Sequence, residues 1–135
     1  MLMRIAEVAI RVSDLEKARA FCQETLGFGF HHGEPGVLFL EVGPLDSALG
    51  SVGHPQLLAL FDRRQPVDAD KSTFDHIAFE VPQDCCDQQL ARFHSLGMVV
   101  RERAWPGMLP WNGRSFFIRD PDGNVVELIT ANKKA

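Results

Sequence analysis

The chain has no tyrosine, two tryptophans and three cysteines in 135 residues, and each scarcity removes a class of explanation. Without tyrosine there is no phenol to serve as a general acid or base. Cys22, Cys85 and Cys86 are odd in number, and sequence neighbours rarely bridge each other, so a disulfide framework is not expected. Cys85 and Cys86 lie near an expected helix start, where thiolates are favoured, yet reduced, inert thiols are the expectation. No apolar run approaches the ~18 residues that a membrane helix needs. No basic stretch followed by an apolar one marks the N-terminus as a targeting segment, and the expected location is the cytoplasm. The formal net charge of −4 lacks the positive surplus that nucleic acid or an anionic membrane would attract. What is present is ordinary for a globular protein: 45% hydrophobic and 24% charged residues, enough apolar material for a core.

The most informative stretch is TFDHIAFEV at residues 73–81, where the first half of the chain begins again. Set under IAEVAIRV at residues 5–12, it places His76 opposite Glu7, Ala78 opposite Ala9 and Val81 opposite Val12. Each stretch alternates with period two and is followed by a polar break and a helical pattern ending in Leu-Gly, at Leu26-Gly27 and Leu96-Gly97. A tandem repeat of one supersecondary unit follows.

In the first copy Ala6, Val8, Ile10 and Val12 form the apolar face of a strand, and Glu7, Ala9 and Arg11 face the other way. Ser13 with Glu16 makes a capping-box pattern for a helix beginning at Asp14. Leu15, Ala18, Phe21, Cys22 and Leu26 form its buried stripe, and Gly27 stops it. Strands are expected at residues 28–32, 37–42 and 56–61, giving βαβββ, followed by a polar linker at residues 62–72. In the second copy a helix over residues 84–96 should bury Cys86, Leu90, Phe93 and Leu96. Strands follow at residues 98–103, 114–119 and 124–130, the last two joined by the tight turn Asp120-Pro121-Asp122-Gly123. The second copy is βαβββ as well, and the loop at residues 104–113 carries both tryptophans.

The last strand places Glu127 between Val125 and Ile129 on its own face, where a charge is costly unless it is paired or bound to a metal. His76 and Glu7 hold similar mid-strand positions, opposite the faces assigned to helix packing. One imidazole and two carboxylates can hold a divalent ion and leave positions open for a substrate. Arg11, Arg114 and Arg119 are the alternative partners for Glu7. Trp105 and Trp111 can wall a cleft and stack on a ligand. Among Arg101, Arg103, Arg114 and Arg119, the last, immediately before Asp120, is the first choice for an anionic substrate. His31 and His32 are adjacent, so in a regular strand their side chains diverge, and with His54 they are expected at the surface.

Two βαβββ units with Glu7 and His76 in equivalent positions, and the pattern from Asp120 to Glu127 on the last hairpin, resemble the vicinal oxygen chelate superfamily of glyoxalases, bleomycin resistance proteins and extradiol dioxygenases. The resemblance implies an α+β fold in one domain over residues 1–135, with modules at about 4–61 and 73–131 joined by the linker. In this family the tandem modules form an eight-stranded incomplete barrel around a cleft, usually in a homodimer. It implies a divalent metal (iron, manganese, nickel, zinc or cobalt) held by Glu7, His76 and Glu127, with Glu7 and Glu127 as catalytic groups and Trp105, Trp111 and Arg119 against the substrate. The implied activity is that of a lyase, isomerase or dioxygenase on a small molecule with adjacent oxygens. Ala59, at the position equivalent to Glu127, cannot bind metal, and Glu7 stands where the family most often has His or Gln. Phe117 replaces the tyrosine of the extradiol enzymes. These departures leave a non-catalytic small-molecule binding protein, of the bleomycin resistance type, as the alternative.

Overall fold

The computed structural model describes residues 5–43, 56–104 and 114–130. The chain divides into two compact units, Met1–Asp68 and Ala69–Ala135, and each is built on one four-stranded mixed sheet. Few helices accompany the strands, which agrees with the α+β expectation. Among the described residues no helix is long and apolar enough to cross a membrane.

The first unit runs β1 (Glu7–Arg11), α1 (Leu15–Ala20), β2 (Gly29–Glu34), β3 (Val37–Val42) and β4 (Gln56–Phe61). The sheet order is β1-β4-β3-β2, with β1 parallel to β4 and the other pairs antiparallel. Strand alternation sends Val12, Leu38, Leu40, Leu58 and Leu60 to one buried set together with Ala18, Phe21 and Cys22 of the helical segment. The cap differs from the expected Ser13: Asp14 is the N-cap, its carboxylate accepting the Lys17 N–H at 3.0 Å. An ionised acceptor makes the stronger bond to an unpaired helix N–H, which favours Asp14 over its hydroxyl neighbour. After Ala20 the helix widens into a π-helical turn, Phe21–Thr25, and Gly27 at φ +79° ends it in the left-handed region that glycine accepts without strain.

Sequence alternation alone misplaces His31. The register of β2 against β3 shifts between Phe30 and His32, leaving His31 as the extra residue of a β-bulge. The bulge brings the two Nδ1 atoms to 2.6 Å of each other instead of sending the rings to opposite faces.

The second unit runs β5 (His76–Glu80), α2 (Cys86–Ser95), β6 (Arg101–Ala104), β7 (Arg114–Arg119) and β8 (Val125–Ile129), with short 3₁₀ turns at Ala69–Lys71 and Gln83–Cys85. Its order, β5-β8-β7-β6, repeats that of the first sheet, and β5 is parallel to β8. Phe93 and Cys86 of α2 are buried with Phe116, Ile118, Val126 and Leu128, and the Phe93 and Phe116 ring centroids are 5.6 Å apart. Leu96, expected inside, is 53% exposed, because α2 ends at Ser95 and Gly97 turns the chain away at φ +67°. The β7–β8 hairpin is fixed by Asp120, which accepts the N–H groups of Asp122 and Asn124 on Oδ1 and the Asn124 amide on Oδ2.

Candidate metal centre

Parallel pairing of β5 with β8 sets Ala78 opposite Glu127 and His76 opposite Val125. His76, Ala78 and Glu127 therefore share one face, and the imidazole leans along the strand until Nε2 is 3.1 Å from Glu127 Oε2. Nδ1 of the same ring lies 2.6 Å from Asp75 Oδ2. The Glu127 side chain is 5% exposed and that of His76 38%, so the carboxylate is buried while the ring edge reaches solvent. Phe117 of β7 is the cross-strand neighbour of Glu127, and its ring centroid is 6.2 Å from that of His76. An open cleft of about 490 Å³ is lined by these groups with Arg101, Arg103 and Arg119.

Two features of this arrangement suit a cation. Glu127 Oε1 is buried with no hydrogen-bond partner, an unfavourable state for a carboxylate oxygen. In the tautomer whose Nδ1–H donates to Asp75, His76 presents the lone pair of Nε2 toward Oε2. Two electron-pair donors at that separation need a proton or a metal ion between them. The Asp75–His76 contact has the form of the carboxylate–histidine pair common behind metal-binding histidines. Among the described residues no three His, Cys, Asp or Glu side chains converge as one group; the second unit supplies a pair.

Glu7 belongs to the first unit, on the exposed face of β1 with Ala9 and Arg11. The arginines considered as its partners are engaged elsewhere. Arg11 donates to Gln65, Arg114 to Asp87, and Arg119 to the Gly123 carbonyl at 2.7 Å. Arg119 thus borders the cleft but serves the hairpin. Trp105 and Trp111 lie outside the described residues. The cysteines match the inert expectation: Cys22 and Cys86 are buried, and the Cys85 thiol is pushed up, first by the Asp84 carboxylate and then by burial.

The two sheets carry equivalent rows across this face. In the second unit the row is Ala78, Glu127, Phe117 and Arg101; in the first it is Ala9, Ala59, Phe39 and His32. Arg101 lies over Phe117 with its guanidinium carbon 4.4 Å from the ring centroid, and His32 stacks on Phe39 at 4.3 Å with the planes 10° apart. The chemical difference is in the second place of the row, where a buried carboxylate stands opposite a buried alanine. Sequence reasoning missed Asp75, although its place immediately before His76 was a usable signal. It also missed the stack on Phe117, which depends on cross-strand register.

A model of the Glyoxalase/Bleomycin resistance protein/Dioxygenase superfamily matches residues 4–128. The glutathione transferase FosA of Serratia marcescens is 27% identical over 128 residues, covering 95% of this chain and 81% of that protein. The lactoylglutathione lyase structure from Agrobacterium tumefaciens superposes with a TM-score of 0.70 at 27% identity, covering 94% of this chain and 92% of the other. The Listeria monocytogenes fosfomycin resistance protein FosX, in a mutant form complexed with Mn(II) and 1S,2S-dihydroxypropylphosphonic acid, gives 0.69 at 22% identity, covering 98% and 93% of the two chains.

Proposed function

Because this chain belongs to the glyoxalase/bleomycin resistance protein/dioxygenase superfamily, we propose that it is a divalent-metal-dependent enzyme acting on a small substrate with adjacent oxygens. The observation that carries this reading is the buried Glu127 carboxylate, with Oε1 unpartnered and Oε2 facing His76 Nε2. Glu127 and His76 would hold the ion, and Asp75 would keep the ring in the tautomer that leaves Nε2 free for it. The bound ion would supply a Lewis acid that polarises a substrate oxygen. Mn(II), the ion held by the FosX relative, is the first to test.

Glu7 is proposed as the third ligand. Exposed on β1, it is also the candidate to accept a substrate proton. Phe117 and the apolar neighbours of Glu127 would limit water at the carboxylate, which strengthens every electrostatic contact made there. The reaction class follows from which bond lies next to the polarised oxygen, and lyase, isomerase and oxygenase chemistry share this first requirement.

Ala59, buried at the position equivalent to Glu127, favours a second reading in which the protein binds a small molecule without catalysis. Metal content per subunit separates the two. Protein purified without a histidine tag is expected to carry near one equivalent of a transition metal, lost in His76→Ala while the circular dichroism spectrum persists. If native protein incubated with manganese, iron, nickel, zinc or cobalt retains none, the enzyme reading fails and the binding-protein reading replaces it.

A further inference from the structure

Of the charged groups around the cleft, Arg101 is distinguished by having a fixed position and unspent donors. Its guanidinium rests on the Phe117 ring, and among the described residues no acceptor takes its N–H groups. Arg119, favoured on sequence for an anionic substrate, is tied to the Gly123 carbonyl. Phe117, which carries Arg101, is the cross-strand partner of both Arg101 and Glu127. Neighbouring strands are about 4.8 Å apart. A guanidinium folded back over the Phe117 column is therefore about one strand spacing from the Glu127 column. The cleft also concentrates positive charge in a chain of net charge −4: Arg101, Arg103 and Arg119 border it against the two carboxylates of Asp75 and Glu127.

We propose that Arg101, held flat on Phe117, is an anion-binding residue that selects a compact substrate carrying an oxyanion a few bonds from the oxygens that meet His76 and Glu127. This rests on the metal-site reading above for the second half of the contact, while the anion contact itself depends on Arg101. The planar fork of a guanidinium donates two parallel hydrogen bonds to a carboxylate or a phosphonate. Stacking on an aromatic ring holds the fork in place without using those donors, so little side-chain freedom is lost when the anion arrives. The short span between the fork and the His76–Glu127 pair favours a small hydroxy or oxo acid over a long conjugate whose charge is remote from its reacting oxygens.

The test is calorimetric titration of the full chain, Mn(II)-loaded and chelator-treated, with L-lactate, methylphosphonate and the neutral 1,2-propanediol. Arg101→Gln is expected to weaken binding of the preferred anion about tenfold or more, the loss of a charge-assisted hydrogen-bond pair, with metal content unchanged. Arg101→Lys keeps the charge without the fork and should fall between the two. Whichever of lactate and methylphosphonate binds better identifies the oxyanion, and propanediol should bind at least tenfold more weakly than that anion. Native and Arg101→Gln proteins binding both anions within about twofold of each other would overturn the assignment, as would no measurable binding of either anion to native protein. If native protein holds no metal but Arg101-dependent anion binding persists in chelator, the metal reading fails and the anion assignment stands. Metal binding without an Arg101 effect has the opposite meaning.

Discussion

Replacing Glu127 by glutamine separates the two roles open to a buried carboxylate. If Glu127 is a metal ligand, its charge is a burden in the metal-free protein: Oε1 is buried and unpartnered, and the side chain is 5% exposed. A buried polar atom left without a partner costs about 1–3 kcal/mol, more when charged. Glutamine keeps the shape and removes the charge but leaves a polar atom in the same place, so Glu127→Gln should stabilise the chelator-treated protein only by the charge-specific part of that cost, about 1 kcal/mol. For a chain of this length each kcal/mol moves the melting temperature by about 3–5 °C. With Mn(II) at about a hundred times its dissociation constant the native protein gains about 2.7 kcal/mol, and the variant, lacking the anionic ligand, gains far less. The order of stability should therefore reverse: variant above native in chelator, native above variant with metal. Thermal unfolding of both proteins in the two buffers reads this directly. A variant less stable than native by more than about 1 kcal/mol in chelator would refute the reasoning, because Glu127 would then be a structural partner of His76.

Asp120 gives a pH-dependent prediction. Its carboxyl is raised above 3.8, first by burial, against the opposing hydrogen bonds from Asn124 and Asp122. A folded state that holds the proton more tightly than the unfolded chain gains stability below the ordinary value and loses it as pH rises through the raised one. The urea midpoint of native protein should accordingly carry a component that falls as pH rises above 3.8 and that Asp120→Asn flattens. Asp120→Ala, which deletes three hydrogen bonds in the hairpin, should cost about 1–3 kcal/mol at pH 7. Phe93→Ala removes a fully buried ring from between α2 and the second sheet and should cost about 3–5 kcal/mol, with metal content per folded subunit unaltered.

The repeat was legible because a strand buried on one face writes its alternation into the sequence, and the Leu-Gly that ends each helix marks the same point twice. Gly27 and Gly97 both take positive φ, as helix ends of that kind require. Element boundaries were less legible. Asp14 displaced Ser13 as the cap because two adjacent acceptors competed and the ionised one makes the stronger bond, which the capping-box pattern alone does not weigh. Leu96 followed the helical period on paper but lies beyond the last turn of α2. His31 and His32 are exposed as expected, but their rings meet instead of diverging, because a bulge is a property of two strands in register and leaves no mark in one of them.

By itself the sequence determined the tandem βαβββ order and the face of each strand that holds Glu7, His76 and Glu127, since period-two alternation assigns faces without knowledge of neighbours. Tertiary structure decided everything that depends on which strands are neighbours. Parallel pairing of β5 with β8 brings His76 Nε2 to Glu127 Oε2, and the β6–β7 register lays Arg101 on Phe117. The hairpin turn engages one Arg119 donor by offering it a carbonyl. The chain's residue types fix what each group can do, and hydrogen-bond register between distant segments fixes which of them act together.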